Sequence, residues 1–222
     1  MSIELARHIQ HTLIGPGVSR AQIERHVGEC TDLGFDAAMV GACWVREVRE
    51  LLSGSAVKVA TAVDFPYGCM TTDGRIAEMR AVVDAGADEV DIGVQVGWLR
   101  SGELARFSDD LARVVAAAEG VPVKVMLELP LLGPDERRTA VEASVAAGAR
   151  FVKNASSGAV GVATPEDIAW LRSQVPPGVG VKASGGISSA EQATALIVAG
   201  ADLLGTSTGV QIVRGGAGDR SY

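Results

Sequence analysis

Three stretches of the chain repeat one pattern: DAGADEVD at Asp84–Asp91, AAGARFVK at Ala146–Lys153 and VAGADLLG at Val198–Gly205. Each stretch has the features of a helix end, a glycine directly after it, and the apolar beginning of a strand. Repeated helix-to-strand units are typical of a parallel β-sheet that is covered by helices. The pattern therefore predicts an α/β fold.

Short runs rich in Val, Ile, Ala and Leu also alternate with amphipathic segments outside these repeats. We predict eight strands, near Ile9–Leu13, Ala37–Val40, Lys58–Val63, Val90–Val94, Val123–Leu129, Phe151–Ala155, Gly180–Ala183 and Leu203–Thr206. Helices are predicted in the intervals, among them Arg20–Leu33, Thr72–Asp84, Gly102–Ala118, Pro134–Ala146, Pro165–Gln174 and Ser189–Val198. Eight equal units with no GxGxxG motif after the first strand favour a closed (β/α)8 TIM barrel over an open doubly wound sheet. Residues 1–222 are expected to form one TIM-barrel domain, with a flexible tail at about 215–222.

Composition and charge argue against several classes of function. The 222 residues carry 20 Lys and Arg against 27 Asp and Glu, a formal net charge of −7 that disfavours binding to nucleic acid. No apolar run approaches the roughly 18 residues of a membrane helix, and the N-terminus has no signal-peptide pattern. We therefore expect no membrane partner and a cytoplasmic protein. His8, His11 and His26 form no HExxH motif and lack further clustered ligands, so no metal site is expected.

The lysines are few and occupy unusual positions. Of the 20 basic residues 16 are arginine, and the four lysines, Lys58, Lys124, Lys153 and Lys182, each interrupt a strand-like apolar run. The last three are each 29 residues apart, about one βα unit. Asp91 and Lys153 both stand five residues after the glycine of their repeat. This spacing predicts that Asp91 and the three lysines lie at matching positions near the catalytic mouth of the barrel.

Such a cluster can carry out chemistry. Burial disfavours the charged form of an ammonium group, and a second ammonium nearby disfavours it further. A neutral lysine amine can attack a carbonyl, and the resulting iminium is an electron sink. Asp91 would then relay protons. The alternative is a set of charges that merely neutralise one another inside the barrel.

Two glycine-rich turns follow the last two predicted strands. They are ASGG at Ala183–Gly186 and GTSTG at Gly205–Gly209. TIM barrels frequently bind phosphate at this place, through backbone N–H groups and the N-terminus of a short helix. Glycine and serine also serve turn geometry alone, so each turn has a second interpretation.

At these residues the chain resembles the deoxyribose-phosphate aldolase family, which comprises lysine-dependent class I aldolases that join acetaldehyde reversibly to glyceraldehyde 3-phosphate. The resemblance covers essentially the whole chain. Its motifs are HTL at His11–Leu13, DFPYG at Asp64–Gly68, GADEVDIGVQVGWLRSG at Gly86–Gly102, VKVMLE at Val123–Glu128, GARFVK at Gly148–Lys153, GVKASGGI at Gly180–Ile187, GTSTG at Gly205–Gly209 and the terminal Tyr222.

The resemblance implies a role for each matching residue. Lys153 matches the lysine that forms the Schiff base, Lys182 the second lysine that lowers its pKa, and Asp91 the carboxylate of the proton relay. Lys124 matches a further lysine near that network, and Tyr222 a C-terminal tyrosine that assists proton transfer at the enamine carbon. Phosphate-binding turns are expected at Ser157, Gly158, Gly185, Gly186, Ser207 and Thr208. The resemblance also implies a small aldehyde or deoxysugar phosphate as substrate, a possible homodimer, and no cofactor, because lysine itself is the electron sink.

The chain departs from the family at several positions that would face the substrate. Gln10 stands where the family usually has an aspartate before HTL, Gly41 and Ala42 replace an asparagine-proline pair, and Ser188 replaces an arginine. Two alternatives to the aldolase therefore stay open. One is a lysine-dependent lyase of secondary metabolism that acts on a non-phosphorylated carbonyl, and the other is a catalytically silent barrel with a binding or subunit role.

Overall fold

The computed structural model describes residues 4–215, in which eight parallel strands form a closed barrel. The strands are β1 (Ile9–Leu13), β2 (Ala37–Val40), β3 (Lys58–Val63), β4 (Glu89–Gly93), β5 (Val123–Met126), β6 (Phe151–Lys153), β7 (Gly180–Ser184) and β8 (Leu203–Thr206). They pair in chain order, and β8 returns to β1. The predicted TIM barrel is confirmed. The strand β5 ends earlier than predicted because Glu128 has a positive φ of 56° and a 3-10 turn with Pro130 follows.

Helices cover the outside of this barrel. They are α1 (Arg20–Leu33), α2 (Val45–Leu51), α3 (Thr72–Asp84), α4 (Val96–Arg100), α5 (Leu104–Ala116), α6 (Pro134–Ala146), α7 (Pro165–Gln174), α8 (Ala190–Val198) and α9 (Gly209–Arg214). Within residues 4–215, three 3-10 turns lie at Leu5–His8, Ala42–Trp44 and Leu129–Leu131. Among residues 4–215, no helix has the length and apolar character needed to span a bilayer.

The glycines of the three repeats close helices, as predicted. Gly86, Gly148 and Gly200 have φ values of 100°, 91° and 113° and lie one residue beyond the helix C-cap. A side chain would strain this left-handed backbone. The repeats are therefore explained by the turn that leads each helix into the next strand.

Strand alternation separates an outer core from the barrel lumen. On β4, Val90 and Ile92 belong to the large apolar cluster beneath the helices. Glu89 and Asp91 alternate with them and are also buried, which places both carboxylates in the lumen. A second, smaller apolar cluster of inward-facing side chains lies on the adjacent strands β2 and β3 and consists of Ala37, Met39, Ala60 and Ala62.

The register of the strands corrects one prediction. Lys153 pairs with Lys182, as expected, but Lys124 pairs with Phe151, two residues before Lys153. Asp91 in turn pairs with Lys124. The prediction of matching positions for all four residues was therefore wrong, because equal spacing in the chain also counts helices and loops of unequal length. The offset of two residues keeps Lys124 on the inward face.

Candidate active site

One buried carboxylate holds three lysines together inside the barrel. Asp91 Oδ2 accepts hydrogen bonds from Lys153 Nζ at 3.0 Å and from Lys182 Nζ at 2.8 Å. Lys124 Nζ lies 3.2 Å from the other oxygen, Oδ1. Asp91 has no exposed surface, and the three ammonium groups are at most 5% exposed. The predicted cluster of Asp91 and three lysines is thus brought together by the fold.

The charged network continues toward the amino ends of the strands. Glu89 lies 2.8 Å from Lys124 through Oε2 and 2.8 Å from Lys58 through Oε1. Lys58 also donates to Asp36 at 2.9 Å and is partly exposed. Four lysines thus face the three carboxylates of Asp36, Glu89 and Asp91 in this network. The excess of positive charge disfavours keeping every lysine protonated.

Burial and the neighbouring positive charges lower the pKa of Lys182. Burial lowers the pKa of Lys182 to about 7, and the ammonium groups of Lys153 and Lys124 add to this effect against the opposing attraction of Asp91. Burial alone would raise the pKa of Asp91, but the three ammonium groups hold it well below its usual range. Near neutral pH the network therefore combines an ionised carboxylate with a lysine that can give up its proton.

Gln10 joins the two ends of the network. Its Oε1 accepts a hydrogen bond from Lys182 at 2.7 Å, while its Nε2 donates to Glu89 at 2.7 Å and to Asp36 at 2.9 Å. An ionised carboxylate at this position could accept from Lys182 but could not donate to the other two. The glutamine that departs from the family pattern therefore fits the partners that surround it in this chain.

A small, largely enclosed cavity of about 10 Å³ lies beside Lys153 at the carboxyl ends of the strands. Its polar lining includes Lys153, Lys182, Ser156 and Ser184, and Phe65 contributes to its apolar side. The hydroxyl groups of Ser156 and Ser184 are buried and have no hydrogen-bond partner within residues 4–215. They are available to bind oxygen atoms of a ligand. Neither serine was among the predicted site residues, although Ser184 ends β7 within the ASGG turn and Ser156 lies three residues after the end of β6.

Two contacts hold the loop after β6 in place. Asn154 Oδ1 accepts from the backbone N–H of Ser184 at 2.8 Å, and Asn154 Nδ2 donates to the Ser184 carbonyl at 2.9 Å. The backbone N–H of Ser156 donates to both carboxylate oxygens of Glu128 at 3.1 Å. The strand ends that carry Lys153 and Lys182 are thereby tied together.

The DFPYG motif positions Phe65 at the mouth. Asp64 has a positive φ of 54°, and its carboxylate accepts the backbone N–H of Met70 at 2.9 Å. The fully buried Arg75 bonds to Asp110 and to the carbonyl of Gly93, and its Nε lies 3.6 Å from Asp64. This buried ion pair supports the turn from beneath.

The predicted phosphate-binding residues lie on the loops that follow β6, β7 and β8. A Cβ on Gly185, whose φ is 105°, would lie 2.2 Å from the carbonyl oxygen of Gly161 and 3.4 Å from the nitrogen of Gly158. The glycine at position 185 is therefore explained by the close packing of its loop against the loop that contains Ser157, Gly158 and Gly161. On the other turn, the hydroxyl of Thr208 donates to the Ile187 carbonyl at 3.0 Å.

The other predicted residues of this region lie near these turns. Gly186 follows with a φ of 68°, and Ser207 stands between β8 and α9. Ser188, at the position of the family arginine, donates from its hydroxyl to Gln192 at 3.2 Å. Tyr222 lies outside the described residues.

Comparison with known proteins decides the family. A family model described as DeoC/LacD family aldolase matches residues 10–215. The chain belongs to the DeoC/LacD family of aldolases. It is therefore a carbon–carbon lyase, and the resemblance noted from its motifs is confirmed.

Individual relatives of this aldolase match over nearly their whole length. This chain is 43% identical over 213 residues to a deoxyribose-phosphate aldolase of Brevibacillus brevis, and the match covers 96% of both chains. It is 40% identical over 220 residues to a deoxyribose-phosphate aldolase of Bdellovibrio bacteriovorus, covering 99% of this chain and all of the relative. Among solved structures, the tetrameric deoxyribose phosphate aldolase from Aeropyrum pernix superimposes with a TM-score of 0.87 at 31% identity, covering 95% of this chain and 89% of that one.

Proposed function

We propose that this aldolase cleaves and forms 2-deoxyribose 5-phosphate, with acetaldehyde and glyceraldehyde 3-phosphate as the two fragments, through a Schiff base on Lys153. The observation that carries the proposal is that Lys153 and Lys182 share one oxygen of the buried Asp91 beside the cavity at the mouth of the barrel. The names of the relatives in Brevibacillus and Bdellovibrio support the substrate.

The first half of the reaction forms the iminium. Neutral Lys182 accepts a proton that Lys153 gives up, and their common partner Asp91 provides the path between them. The amine of Lys153 attacks the aldehyde carbon C1 of the sugar, and the carbinolamine hydroxyl leaves as water after taking a proton from Lys182. This exchange leaves Lys182 neutral again.

The second half breaks the carbon–carbon bond. The C3 hydroxyl gives its proton to the Lys182–Asp91 pair, the bond between C2 and C3 breaks, and its electrons enter the iminium to form an enamine. Glyceraldehyde 3-phosphate leaves as the free aldehyde. Tyr222 protonates the enamine at C2 and regains a proton from Lys182, which becomes neutral again. Water then hydrolyses the iminium, which releases acetaldehyde and restores the ammonium group of Lys153. Lys124 supports these steps because its ammonium group lies 3.2 Å from Asp91 Oδ1 and helps to keep that carboxylate ionised.

For the phosphate we propose the turns at Ser157, Gly158, Gly185, Gly186, Ser207 and Thr208. The backbone N–H groups of the turns after β7 and β8 are the expected donors. A non-phosphorylated carbonyl is the second candidate substrate, and a specific observation favours it: the hydroxyls of Thr208 and Ser188 are committed to Ile187 and Gln192.

Borohydride trapping tests both proposals. The protein is incubated separately with acetaldehyde, deoxyribose 5-phosphate and unphosphorylated deoxyribose, reduced, digested and examined by peptide mass spectrometry. We expect an adduct on Lys153 that is absent in Lys153→Ala, with deoxyribose 5-phosphate more effective than deoxyribose. Lys58→Ala is the matched control, because Lys58 lies at the opposite end of the lumen.

The outcomes separate the alternatives. An adduct on Lys182 instead of Lys153 would overturn the assignment of the nucleophile. Equal trapping by the sugar with and without phosphate would overturn the phosphate site and favour the second candidate. No adduct in folded protein would overturn Schiff-base chemistry altogether.

We also propose that the chain forms a homodimer or a larger homo-oligomer. The description of the Aeropyrum pernix relative as tetrameric supports self-association. Light scattering coupled to gel filtration tests this, and a monomeric mass at micromolar concentration would overturn it.

A further inference from the structure

His11, His26 and Glu29 form a cluster on the outer side of the barrel wall, separate from the lysine network. His11 lies on β1 between Gln10 and Thr12, and strand alternation turns it away from the lumen toward α1. His26 and Glu29 lie three residues apart on α1 and so share one face of that helix. The cluster therefore bridges β1 and α1.

The three side chains are close enough to act on one ion. One candidate ligand atom from each residue lies within 4.8 Å of the other two. His11 Nε2 lies 3.2 Å from Glu29 Oε2, and the two imidazole rings stack with centroids 4.6 Å apart. The opposite nitrogen of His11, Nδ1, faces Gly209, where a Cβ would come within 3.0 Å. Nε2 is therefore the His11 atom that points into the cluster.

His26 has a buried ring nitrogen that lacks a hydrogen-bond partner among residues 4–215, which points to a ligand at this position. His11 is 4% exposed and His26 is 3% exposed. The Nε2 atom of His26 is buried and has no hydrogen-bond partner among residues 4–215. Leaving a buried polar atom without a partner destabilises the folded chain. A ligand that bonds to this nitrogen would remove that destabilisation.

A path from solvent reaches the cluster. A cavity of about 290 Å³ is lined by all three residues together with Gln22, Arg25 and Ser207. The side chain of Glu29 is 34% exposed and forms the outer edge of the cluster. Arg25 Nε lies 4.0 Å from Glu29 Oε1, so the oxygen that faces His11 is the other one, Oε2.

We propose that His11, His26 and Glu29 are a binding site for a divalent transition-metal ion of the Zn²⁺ type. Two imidazoles and one carboxylate are a common ligand set for Zn²⁺, with the fourth position left to water. Bonds of 2.0–2.2 Å to such an ion place neighbouring ligand atoms about 3.3 Å apart. His11 and Glu29 already meet this spacing at 3.2 Å. The remaining adjustment falls on the ring of His26, which has to move by at most about 1.5 Å and to turn out of its stack on His11, because an imidazole nitrogen binds an ion in the plane of its ring.

The consequence for the fold is a link between β1 and α1. An ion that binds only the folded chain stabilises it in proportion to its affinity and concentration. None of the three ligands belongs to the network of Asp91 and the lysines. The site is therefore independent of the aldol reaction proposed above.

Zinc binding by the full-length chain tests the proposal. Cys43 and Cys69 are exposed thiols that would also bind Zn²⁺, so the experiment uses a Cys43→Ser, Cys69→Ser background. Titration of Zn²⁺ against a chromophoric chelator is expected to show one tight site per chain, and Zn²⁺ is expected to raise the Tm. Glu29→Gln keeps the shape of the side chain and is expected to weaken Zn²⁺ binding at least tenfold.

Two further variants keep the test sharp. His26→Leu fills the buried position with an apolar side chain that cannot bind a metal ion. It is expected to abolish both Zn²⁺ binding and the Tm shift. Glu24→Gln changes an exposed glutamate of the same helix and is expected to leave both unchanged. Failure of the background protein to bind Zn²⁺ would overturn the proposal. So would a Zn²⁺ affinity in Glu29→Gln and His26→Leu that equals the affinity of the background protein. The visible absorption of bound Co²⁺ should likewise be lost in His26→Leu.

Discussion

Lys153 and Lys182 are register partners on β6 and β7, and both donate to the same carboxylate oxygen of Asp91, at 3.0 and 2.8 Å. The arrangement joins a lysine at the cavity to one whose pKa is lowered to about 7. A single acceptor between two ammonium groups is a short route for a proton.

Replacing Lys182 should change the pH dependence of imine formation. In the wild type we expect the rate of trapping with acetaldehyde to rise with pH through about 7, because Lys182 loses its proton there. Lys182→Met should remove this inflection and slow trapping at neutral pH by on the order of 10²-fold, the usual size of a lost acid–base contribution. Rates of cyanoborohydride trapping from pH 5.5 to 9 are the measurement. An unchanged inflection in Lys182→Met would contradict this role.

Gln10 should not tolerate a carboxylate of the same size. Gln10→Glu replaces the amide that donates to Glu89 and Asp36 with an acceptor that faces them. We expect the free energy of unfolding at pH 7.5 to fall by about 1–3 kcal/mol, with partial recovery at pH 5, where the new carboxyl can be protonated. Urea unfolding at both pH values measures it. Gln211→Glu, at an exposed position, is the control, and an equal effect in both variants would refute the explanation.

Glu89 should make the fold sensitive to acid. The ammonium groups of Lys124 and Lys58 outweigh burial and lower the pKa of Glu89 from 4.5 to about 2. Because the folded value lies below the unfolded one, this contribution to stability is complete above pH 4.5 and is lost as the pH falls through 2. Glu89→Gln should therefore lose less stability than the wild type between pH 5 and 2.5. Thermal unfolding over that range checks this, and parallel curves would contradict it.

The buried pair beneath the DFPYG turn should contribute strongly to stability. Arg75→Met leaves Asp110, which is 1% exposed, without its cation. Removing one partner of a buried ion pair costs about 3–5 kcal/mol. Arg113→Met removes an exposed pair with Asp73 and should cost less than about 1 kcal/mol. Urea unfolding of both variants measures the difference, and similar losses would show that burial does not decide it.

Gly185 should be needed for packing even without a ligand. Gly185→Ala places a methyl group 2.2 Å from the Gly161 carbonyl oxygen on a backbone with a φ of 105°. We expect a loss of at least about 1–3 kcal/mol from the backbone strain alone. Gly97→Ala in α4 meets nothing within 4 Å and should be neutral or slightly stabilising. Denaturant unfolding in phosphate-free buffer distinguishes the two. A stable Gly185→Ala protein would mean that the two loops can separate.

The architecture of this protein could be predicted from its sequence because it rests on local patterns. Strand and helix periodicity, and the glycines that close helices at Gly86, Gly148 and Gly200, identified eight units and their order. Lysines inside apolar runs identified the reactive cluster, since a charge between apolar residues of a covered strand must face the lumen. These properties follow from neighbours in the chain. They therefore need no knowledge of the other strands.

Only the tertiary structure decided which groups meet. It placed Lys124 two residues out of register with Lys153 and gave Gln10 three partners from distant strands and loops. It also left the hydroxyls of Ser156 and Ser184 unpaired in the cavity and brought His11 against α1. Distances across a closed barrel depend on strand stagger, loop length and burial together. Residue spacing along the chain contains none of these quantities.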